Sequence, residues 1–330
     1  MTKRRQIVLA LGAGALASPL DLFAQMGGRV WRVGFMAQIA RPDPLDGHFF
    51  GALPKGLRNL GYVEGKDLAI AWRFADSKIE QLPALAAELV KLNPDVIVTA
   101  GTLSAQAMRK ATTTIPVVFG NVSDPVAAGL VTSLARPGGN MTGLASLAVD
   151  ISAKLMETLI AAVPKISRLA VLMNPKQGSH VAAKKSLQAA ADKLGVKIQF
   201  VEAGVPQDIE PAFRTMAREG AQALLVLLEG LFLQQRRQIV DLAAAYRLPA
   251  ASTDNEFARA GGLLSYGANQ IDMFLRVAVF VDKILKGAKP SDLPVEQPTT
   301  FEFLVNGKTA KALAVAIPQT VLFRADRVIE

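Results

Sequence analysis

IPVVFGNVSDPVAAGL, residues 115–130, contains the pattern from which the fold of this chain is inferred. Residues 116–120 are typical of a buried β-strand, and they run directly into the polar residues Asn121, Ser123 and Asp124. Pro125 then begins an apolar, helix-like run. In a parallel sheet flanked by helices, ligands bind where the strands end and the helices begin. The stretch therefore predicts an α/β fold, and its polar residues either cap a helix or bind a ligand.

The same alternation of short apolar strands and longer amphipathic helices extends in both directions. Continuous apolar strands separated by helices favour a parallel sheet that is covered on both faces. A turn at Pro137, Gly138 and Gly139 marks a boundary, after which the pattern starts again. The chain is therefore predicted to hold two similar α/β domains in tandem, with strands at 31–37, 66–74, 95–100, 116–120, 167–174, 196–203, 223–230, 248–253 and 261–267, and with helices that include 44–61 and 233–247.

The C-terminal part of the chain does not simply extend the second domain. A helix at 272–287 is followed by a connector that contains prolines, a strand at 299–306 and a final helix at 308–316. A chain that crosses between two domains more than once forms a hinge, about which the domains can close. We assign the two lobes as follows: lobe 1 is 29–146 plus 268–294, and lobe 2 is 147–267 plus 295–330.

The first 24 residues are predicted to be a cleaved signal peptide. Lys3, Arg4 and Arg5 precede an apolar run from Ile7 to Leu20, and small residues follow up to Ala24. The run is shorter than the about 20 residues that a membrane span needs. The arginine pair permits twin-arginine export, and Sec export is equally open. We therefore expect a periplasmic protein that is soluble after cleavage.

Composition argues against several classes of function. The net charge is +9, yet no Lys/Arg-rich block with interleaved aromatic residues occurs, so nucleic-acid binding is not expected. The chain has no cysteine, which excludes disulfides and thiolate catalysis and fits an oxidising compartment. HExxH, P-loop and GxSxG motifs are absent, and the two histidines, His48 and His180, lack metal-ligand spacing. The sequence predicts no enzyme, with no catalytic residues, metal or cofactor, and His180 is interpreted as a partly exposed helix residue.

Two neighbouring strands of the first half end in hydroxyl-rich segments. VTAGTLSAQ (98–106) places Thr102 and Ser104 at the beginning of a helix, and FGNVSDPV (119–126) places Asn121, Ser123 and Asp124 at the next strand end. A helix N-terminus has free N–H groups and a partial positive charge, which suit a carboxylate. A helix capped by Ser123 or Asp124 explains the second segment equally well. We expect Ser123 to offer a ligand a hydrogen bond and Asp124 mainly to fix the turn.

Polar residues that follow strands of the second half form a facing rim, and Gln38, after the first strand of the chain, completes the set. The candidates in the second half are Asn174, Glu229, Asp254 and Tyr266. Glu229 follows an apolar run, so it can receive the ammonium group of a ligand or cap the next helix, and the sequence leaves both open. Hydroxyl groups on one side of a cleft and a carboxylate on the other suit an amino-acid-like zwitterion.

Several motifs resemble a known family. SDPV at 123–126, LARPGGNMTG at 134–143 and the C-terminal segment VEQPTTFEFLVNGKTAKALAVAIPQTVLFRADRVIE at 295–330 are similar to the ABC-transporter substrate-binding family that includes tryptophan/tyrosine-binding proteins. The resemblance covers essentially the whole chain after the signal peptide. It implies a type I periplasmic-binding-protein fold, in which two Rossmann-like lobes joined by three crossings trap a solute between them. It also implies delivery to a permease in the inner membrane that works with a cytoplasmic ATPase.

The resemblance also implies which residues contact the solute. First-lobe contacts would fall on the turn from Thr102 to Ser104 and on Ser123 and Asp124. Aromatic-amino-acid binders carry an acidic residue followed by Asn after the second-lobe strand, whereas this chain has Glu229 followed by glycine.

The sequence thus favours a monomeric periplasmic receptor that closes on a small polar solute, an amino acid or a related carboxylate. The alternative is the ligand-binding receptor of a membrane signalling system, in which closure signals to a kinase instead of feeding a transporter.

Overall fold

The computed structural model describes residues 29–163 and 165–330 of the chain. The predicted signal peptide, residues 1–24, lies outside them. Within the described residues no helix is both long enough and apolar enough to cross a membrane. These residues form two α/β lobes, each built on its own sheet.

Lobe 1 contains a five-stranded parallel sheet in the order β2-β1-β3-β4-β5. Its elements in chain order are β1 (Trp31–Ala37), α1 (Ala52–Asn59), β2 (Leu68–Phe74), α2 (Leu82–Lys91), β3 (Val96–Ala100), α3 (Thr102–Ala111), β4 (Val117–Val122) and β5 (Met141–Ala145).

Lobe 2 contains a seven-stranded sheet in the order β12-β11-β10-β9-β8-β6-β7, parallel except where β10 and β11 run antiparallel. Its elements are α4 (Ala148–Ala162), β6 (Arg168–Met173), α5 (Gly178–Lys193), β7 (Lys197–Glu202), α6 (Ile209–Arg218), β8 (Ala223–Val226), α7 (Gly230–Gln234), α8 (Arg236–Ala245), β9 (Ala250–Ser252), α9 (Asn255–Ala260), β10 (Leu264–Ala268), β11 (Phe301–Asn306), α11 (Gly307–Ala312), α12 (Gln319–Leu322) and β12 (Arg327–Ile329).

The chain crosses between the lobes three times, after β5, after β10 and before β11. After β10 it returns to lobe 1 as α10 (Gln270–Leu285), which packs on α1, β3 and β4. The connector after α10 also stays with lobe 1, because Val295 N donates to Leu134 O at 2.7 Å and Glu296 N donates to Gly143 O at 3.0 Å. Lobe 1 therefore extends to Glu296, two residues beyond the predicted boundary at 294.

Helices cover both faces of the lobe 1 sheet, which explains why its central strands are apolar along their whole length. Val98 and Val118 belong to the core that faces α1 and α10, together with Phe274. Ile97 and Phe119, whose side chains point to the opposite face, belong to the core that faces α2 and α3. All five residues of β3 are buried.

The apolar run after Pro125 is a turn, so the predicted helix there is wrong. Leu130 N and Val131 N both donate to Pro125 O, at 2.9 and 3.3 Å. Gly129 has a φ of 70°, in the left-handed region that ends helical turns. The local pattern predicted a helix start correctly, but the run stops before a second turn can form.

The predicted helix at 44–61 is interrupted at His48. The backbone of His48 is extended, with φ −115° and ψ 153°, and its Nδ1 accepts a hydrogen bond from Phe50 N at 3.2 Å. Two short 3-10 turns, Leu45–Gly47 and Phe49–Gly51, therefore precede α1. The rings of Phe49 and Phe50 are both buried as a result.

Two further predicted helices have different bounds in the structure. The helix at 233–247 divides at Gln235 into α7 and α8, and the helix at 308–316 ends at Ala312, since Ala314 has a φ of 55°. The short elements α12 and β12 that follow were not predicted, because four-residue and three-residue elements carry too little periodicity to be recognised.

Replacing Phe274 by alanine should unfold lobe 1 at lower denaturant. Phe274 is fully buried on α10 and its ring lies 5.2 Å from that of Phe50 and 5.5 Å from that of Phe49, centroid to centroid. Phe→Ala at such a core site costs about 3–5 kcal/mol. Equilibrium urea unfolding followed by circular dichroism measures the loss.

The matched control is Phe323→Ala, because Phe323 is 86% exposed and its loss should leave the midpoint unchanged. Equal midpoints for the two variants would contradict this account of the core.

Candidate functional site

A cavity lies between the two lobes at the carboxyl ends of the strands. Lobe 1 contributes the ends of β1, β3 and β4, and lobe 2 contributes the loops that follow β6 and β8. This is the position in which parallel α/β sheets bind ligands. The cavity is lined by Ala37, Gln38, Ile39, Phe49, Phe50, Ala100, Gly101, Thr102, Asn121, Ser123, Gln177, Leu228, Glu229, Gly230 and Leu233.

The lobe 1 wall carries a helix N-terminus. Gly101 has a φ of 85°, which turns the chain sharply from β3 into α3. The N–H groups of the first turn of α3, from Thr102 onward, have no carbonyl partner within the helix. Ser123 N donates to Thr102 Oγ1 at 3.4 Å, so the ends of β3 and β4 are held together. Hydroxyl groups and free N–H groups here form an environment that suits an anion.

The lobe 2 wall carries a buried carboxylate. Glu229 is 5% exposed and caps α7, its carboxylate accepting a hydrogen bond from Leu231 N at 3.0 Å. It also accepts from Asn174 Nδ2 at 3.2 Å and from Gln38 Nε2 at 3.1 Å. All three donors are neutral, and none of the salt bridges among the described residues includes Glu229. Burial raises the pKa of Glu229, although these hydrogen bonds oppose the shift.

Three amide oxygens of the cavity wall have no hydrogen-bond partner within the described residues. They are Gln38 Oε1, Asn121 Oδ1 and Gln177 Oε1, and each is buried. A buried acceptor without a partner costs free energy, which a ligand with N–H groups can recover. Asn121 also has a φ of 58°, an unusual conformation that its β4 backbone adopts where the pairing with β5 shifts register. Together with Glu229, these oxygens give the cavity an excess of acceptors.

Apolar side chains complete the cavity. Phe49 and Phe50 from the 3-10 turn, with Ile39, contribute the lobe 1 part, and Leu228 and Leu233 contribute the lobe 2 part. Aromatic and aliphatic surface beside a few polar groups is typical of sites that bind small organic molecules. The site therefore accommodates a ligand with an apolar portion as well as charged groups.

His180 supports the site from behind without lining the cavity. Its Nδ1 accepts from Asn174 N at 3.0 Å, so its Nε2 carries the proton and donates to Leu228 O at 3.2 Å. Burial lowers the pKa of His180 to about 4, which keeps the ring neutral near pH 7. The histidine thus fixes both the loop that carries Asn174 and the segment that leads to Glu229. The sequence suggested a partly exposed residue, but His180 is 3% exposed.

The structure brings five of the sequence-predicted site residues to the cavity: Gln38, Thr102, Asn121, Ser123 and Glu229. Asn174 contacts the cavity only through Glu229.

The remaining four predicted residues lie elsewhere. Ser104 is buried on α3 away from the cavity, and the exposed Asp124 binds Val126 N and Ala127 N, at 3.1 and 2.9 Å, to fix the turn after β4. Asp254 pairs with Arg236 beside a second cavity, and Tyr266 packs on the rings of Phe301 and Phe303.

Gln234, which follows the cavity residue Leu233, connects the lobes, and sequence reasoning missed it. Its Oε1 accepts from Ala40 N at 3.0 Å and from Ser77 Oγ at 2.5 Å, and its Nε2 donates to Asp76 Oδ1 at 3.0 Å. Asp76 and Ser77 have φ values of 49° and 58°, a conformation that turns both side chains toward lobe 2. These contacts hold the lobes in a closed arrangement. Two consecutive left-handed residues other than glycine give no recognisable signal in a sequence.

Comparison with known proteins supports this description of the fold. The family model described as ABC transporter substrate binding protein matches residues 36–329. A Clostridioides difficile (strain R20291) protein described as a tyrosine-binding protein is 27% identical over 262 residues, which cover 78% of this chain and 74% of that protein.

Three solved structures are similar over 91% of this chain. A conserved domain protein from Vibrio cholerae is 27% identical with a TM-score of 0.83, and the match covers all of that chain. An ABC domain in complex with L-Trp from Streptococcus pneumonia is 23% identical with a TM-score of 0.83, again over all of that chain. A ligand-free, open substrate-binding protein from Clostridium difficile is 24% identical with a TM-score of 0.64, over 99% of that chain. These similarities confirm the α/β fold predicted from the sequence.

Replacing Gln234 by alanine should open the cavity. The substitution removes three hydrogen bonds between the lobes, each worth about 0.5–1.5 kcal/mol. Because the chain has no cysteine, Glu80→Cys in lobe 1 and Arg237→Cys in lobe 2 allow two spin labels to be placed on exposed positions. Pulsed electron spin resonance should then show longer distances in the Gln234→Ala variant.

The control for this experiment is Gln235→Ala, next in sequence, whose side chain makes none of the hydrogen bonds between the lobes. We expect its distance distribution to match that of the labelled parent. A Gln234→Ala distribution that also matches the parent would show that these contacts do not hold the lobes closed.

Proposed function

The chain belongs to the family of ABC transporter substrate-binding proteins, and on that premise we propose that it is the periplasmic component of an ABC importer that traps an amino acid between its lobes. Family members bind a substrate without converting it, so the chain is a binding protein and not an enzyme. The resemblance predicted from the sequence motifs is thereby confirmed.

The observation that carries the proposal is Glu229. A carboxylate that is buried against neutral donors alone is stabilised by a cation, and the cavity beside it is where a ligand would supply one. The α-ammonium group of an amino acid fits this position, with Asn121 and Gln177 as further acceptors. The two sequence interpretations of Glu229 are compatible, because the carboxylate that caps α7 also lines the cavity.

The lobe 1 wall suits the other end of an amino acid. The α-carboxylate would accept hydrogen bonds from the first N–H groups of α3 and from the hydroxyl groups of Thr102 and Ser123. Asp124 would act indirectly, by fixing the turn that carries Ser123. The ligand would then contact both lobes, so that binding stabilises the closed state.

The apolar part of the cavity favours an amino acid with an apolar or aromatic side chain. Phe49 and Phe50 offer ring surface, and Leu233 contacts the same space from lobe 2. A tyrosine-binding protein and a structure with L-Trp are among the similar proteins, which supports this choice. The solute proposed here is less polar than the sequence alone suggested.

The remaining parts of the proposal concern where the protein acts. We place it in the periplasm as a monomer, delivering its ligand to an inner-membrane permease that is driven by an ATPase, with no nucleic-acid partner. The match to the substrate-binding family supports a transporter as the partner.

A panel of the twenty standard amino acids tests the ligand class. Protein is unfolded and refolded to remove bound solute, and thermal shift is followed by calorimetry. We expect stabilisation by L-tyrosine, L-tryptophan, L-phenylalanine or L-leucine, and a weaker effect or none from aspartate and lysine. Native mass spectrometry of protein that has not been refolded identifies any solute that is retained. Stabilisation by no amino acid would refute the proposal.

Glu229→Gln should weaken binding of the best ligand of this panel by about 10- to 100-fold, because it replaces a charged hydrogen-bond acceptor with a neutral group. Ligand ammonium beside Glu229 lowers a pKa that burial has raised, so binding releases a proton when Glu229 starts protonated. Because the pKa of Glu229 is raised, wild-type affinity should therefore fall as the pH is lowered below neutrality, and the variant should lack this dependence. Calorimetry in two buffers with different ionisation enthalpies measures both effects.

The control is Glu219→Gln, since Glu219 is exposed at the end of α6 and lies outside the cavity. It should bind as the wild type does at every pH. A Glu229→Gln protein with wild-type affinity would show that the carboxylate only caps α7.

A further inference from the structure

We infer that Gln38 and Gly230 together select ligands with a primary ammonium group. Gln38 presents its side-chain oxygen to the ligand, and Gly230, which has no side chain, leaves the space that Gln38 occupies. The inference rests on the proposed binding of an amino acid and assigns a specificity role to two residues of the same cavity. Gln38 comes from lobe 1 and Gly230 from lobe 2.

Gly230 provides room for Gln38. A Cβ atom at position 230 would lie 2.0 Å from Gln38 Nε2 and 2.3 Å from both Cδ and Cγ of Gln38. Any side chain at this position therefore displaces Gln38. The backbone of Gly230 is helical at the beginning of α7 and is not among the glycines with positive φ, so other residues suit the conformation. Glycine is required here because a side chain would collide with Gln38, and not because of the backbone conformation.

Glu229 fixes the direction of the Gln38 amide. Gln38 Nε2 donates to Glu229 Oε2 at 3.1 Å, and an ionised carboxylate can only accept. The amide nitrogen therefore faces Glu229 and the oxygen faces away from it. Gln38 Oε1 is buried without a partner and lies 3.6 Å from where a Cβ atom of Gly101 would be, beside the lobe 1 wall of the cavity. The oxygen is thus an oriented acceptor that is ready for an N–H group.

The number of acceptors indicates the chemistry of the ligand. Glu229, Gln38, Asn121 and Gln177 each bring an oxygen to the cavity, and the last three have oxygens without partners. A primary ammonium group has three N–H donors, whereas its N-methyl derivative has two and adds a methyl group. Each buried acceptor that is left unpaired weakens binding, and the N-methyl derivative leaves one more of them unpaired than the primary ammonium group does. The cavity therefore distinguishes a primary from a secondary amine.

Closure of the lobes brings the selecting residues together. Gln38 reaches Glu229 and Gly230 across the gap between the lobes, so the oriented amide exists only in the closed state. A ligand that does not satisfy Gln38 Oε1 destabilises closure after it has entered. We expect discrimination to be expressed mainly in faster dissociation.

The test compares L-tyrosine, N-methyl-L-tyrosine, L-leucine and N-methyl-L-leucine as ligands of the wild type, Gln38→Ala, Gly230→Ala and the double variant. The wild type should bind each parent amino acid about 10- to 100-fold more tightly than its N-methyl derivative, and Gln38→Ala should lose most of that ratio. Gly230→Ala should behave like Gln38→Ala because it displaces the same side chain. In the double variant Gly230→Ala should add almost nothing, since the atoms it would displace are already absent.

Gly178→Ala is the matched control, because a Cβ atom there at the beginning of α5 meets no atom within 4 Å. It should keep the wild-type ratio. Equal wild-type binding of parent and N-methyl ligands, or additive effects of the two substitutions, would overturn the inference and leave the proposed function intact. If Gly230→Ala does not fold, an unchanged ratio of parent to N-methyl affinity in Gln38→Ala is sufficient to overturn the inference. Wild-type protein that binds neither L-tyrosine nor L-leucine, nor any other amino acid of the panel, overturns the proposed function and this inference with it.

Discussion

The burial of the Glu229 carboxylate between the lobes is the constraint on which the rest of the site depends. Removing a charge from water costs several kcal/mol unless polar groups replace the solvent. This chain supplies a helix N–H, an asparagine and a glutamine, all neutral, so the cost is offset only in part. His180 then holds the asparagine loop through one hydrogen bond and the segment that leads to Glu229 through another. The cavity is organised around a negative charge, and the opposing wall is organised around a helix N-terminus.

Much of the fold follows from local patterns in the sequence. Strands such as β3 and β8 are buried on both faces, so they are uniformly apolar and bounded by helix starts. The pattern failed where long-range packing decides the outcome. The extended backbone at His48 turns two phenylalanine rings into the core, and Gly129 stops the turn after β4; neither break is required by the apolar periodicity of its own segment.

The site could be predicted where it follows the rule that ligands bind at the carboxyl ends of parallel strands. That rule identified Gln38, Thr102, Asn121, Ser123 and Glu229, because each lies near the carboxyl end of a strand, in its last residues, in the loop that follows or at the start of the next helix. It does not say which strand ends face each other. In lobe 2 the loops after β6 and β8 line the cavity, whereas Tyr266 of β10 lies against the antiparallel strand β11. The roles of Gln177, Gly230 and Gln234 depend on how the two lobes meet. The pattern of a single segment cannot predict that arrangement.

The short helix α7 has a consequence for how the protein can change. Glu229 caps its first turn and Gln234 ends it, so one rigid body about 7 Å long carries the inner carboxylate and the outer contact between the lobes. Movement of this helix therefore affects the ligand site and the contact between the lobes together. A substitution that tilts this helix alters the affinity and the closed population in the same direction. Evolution of a new ligand preference in this chain is therefore constrained to retain the geometry of a single helical turn.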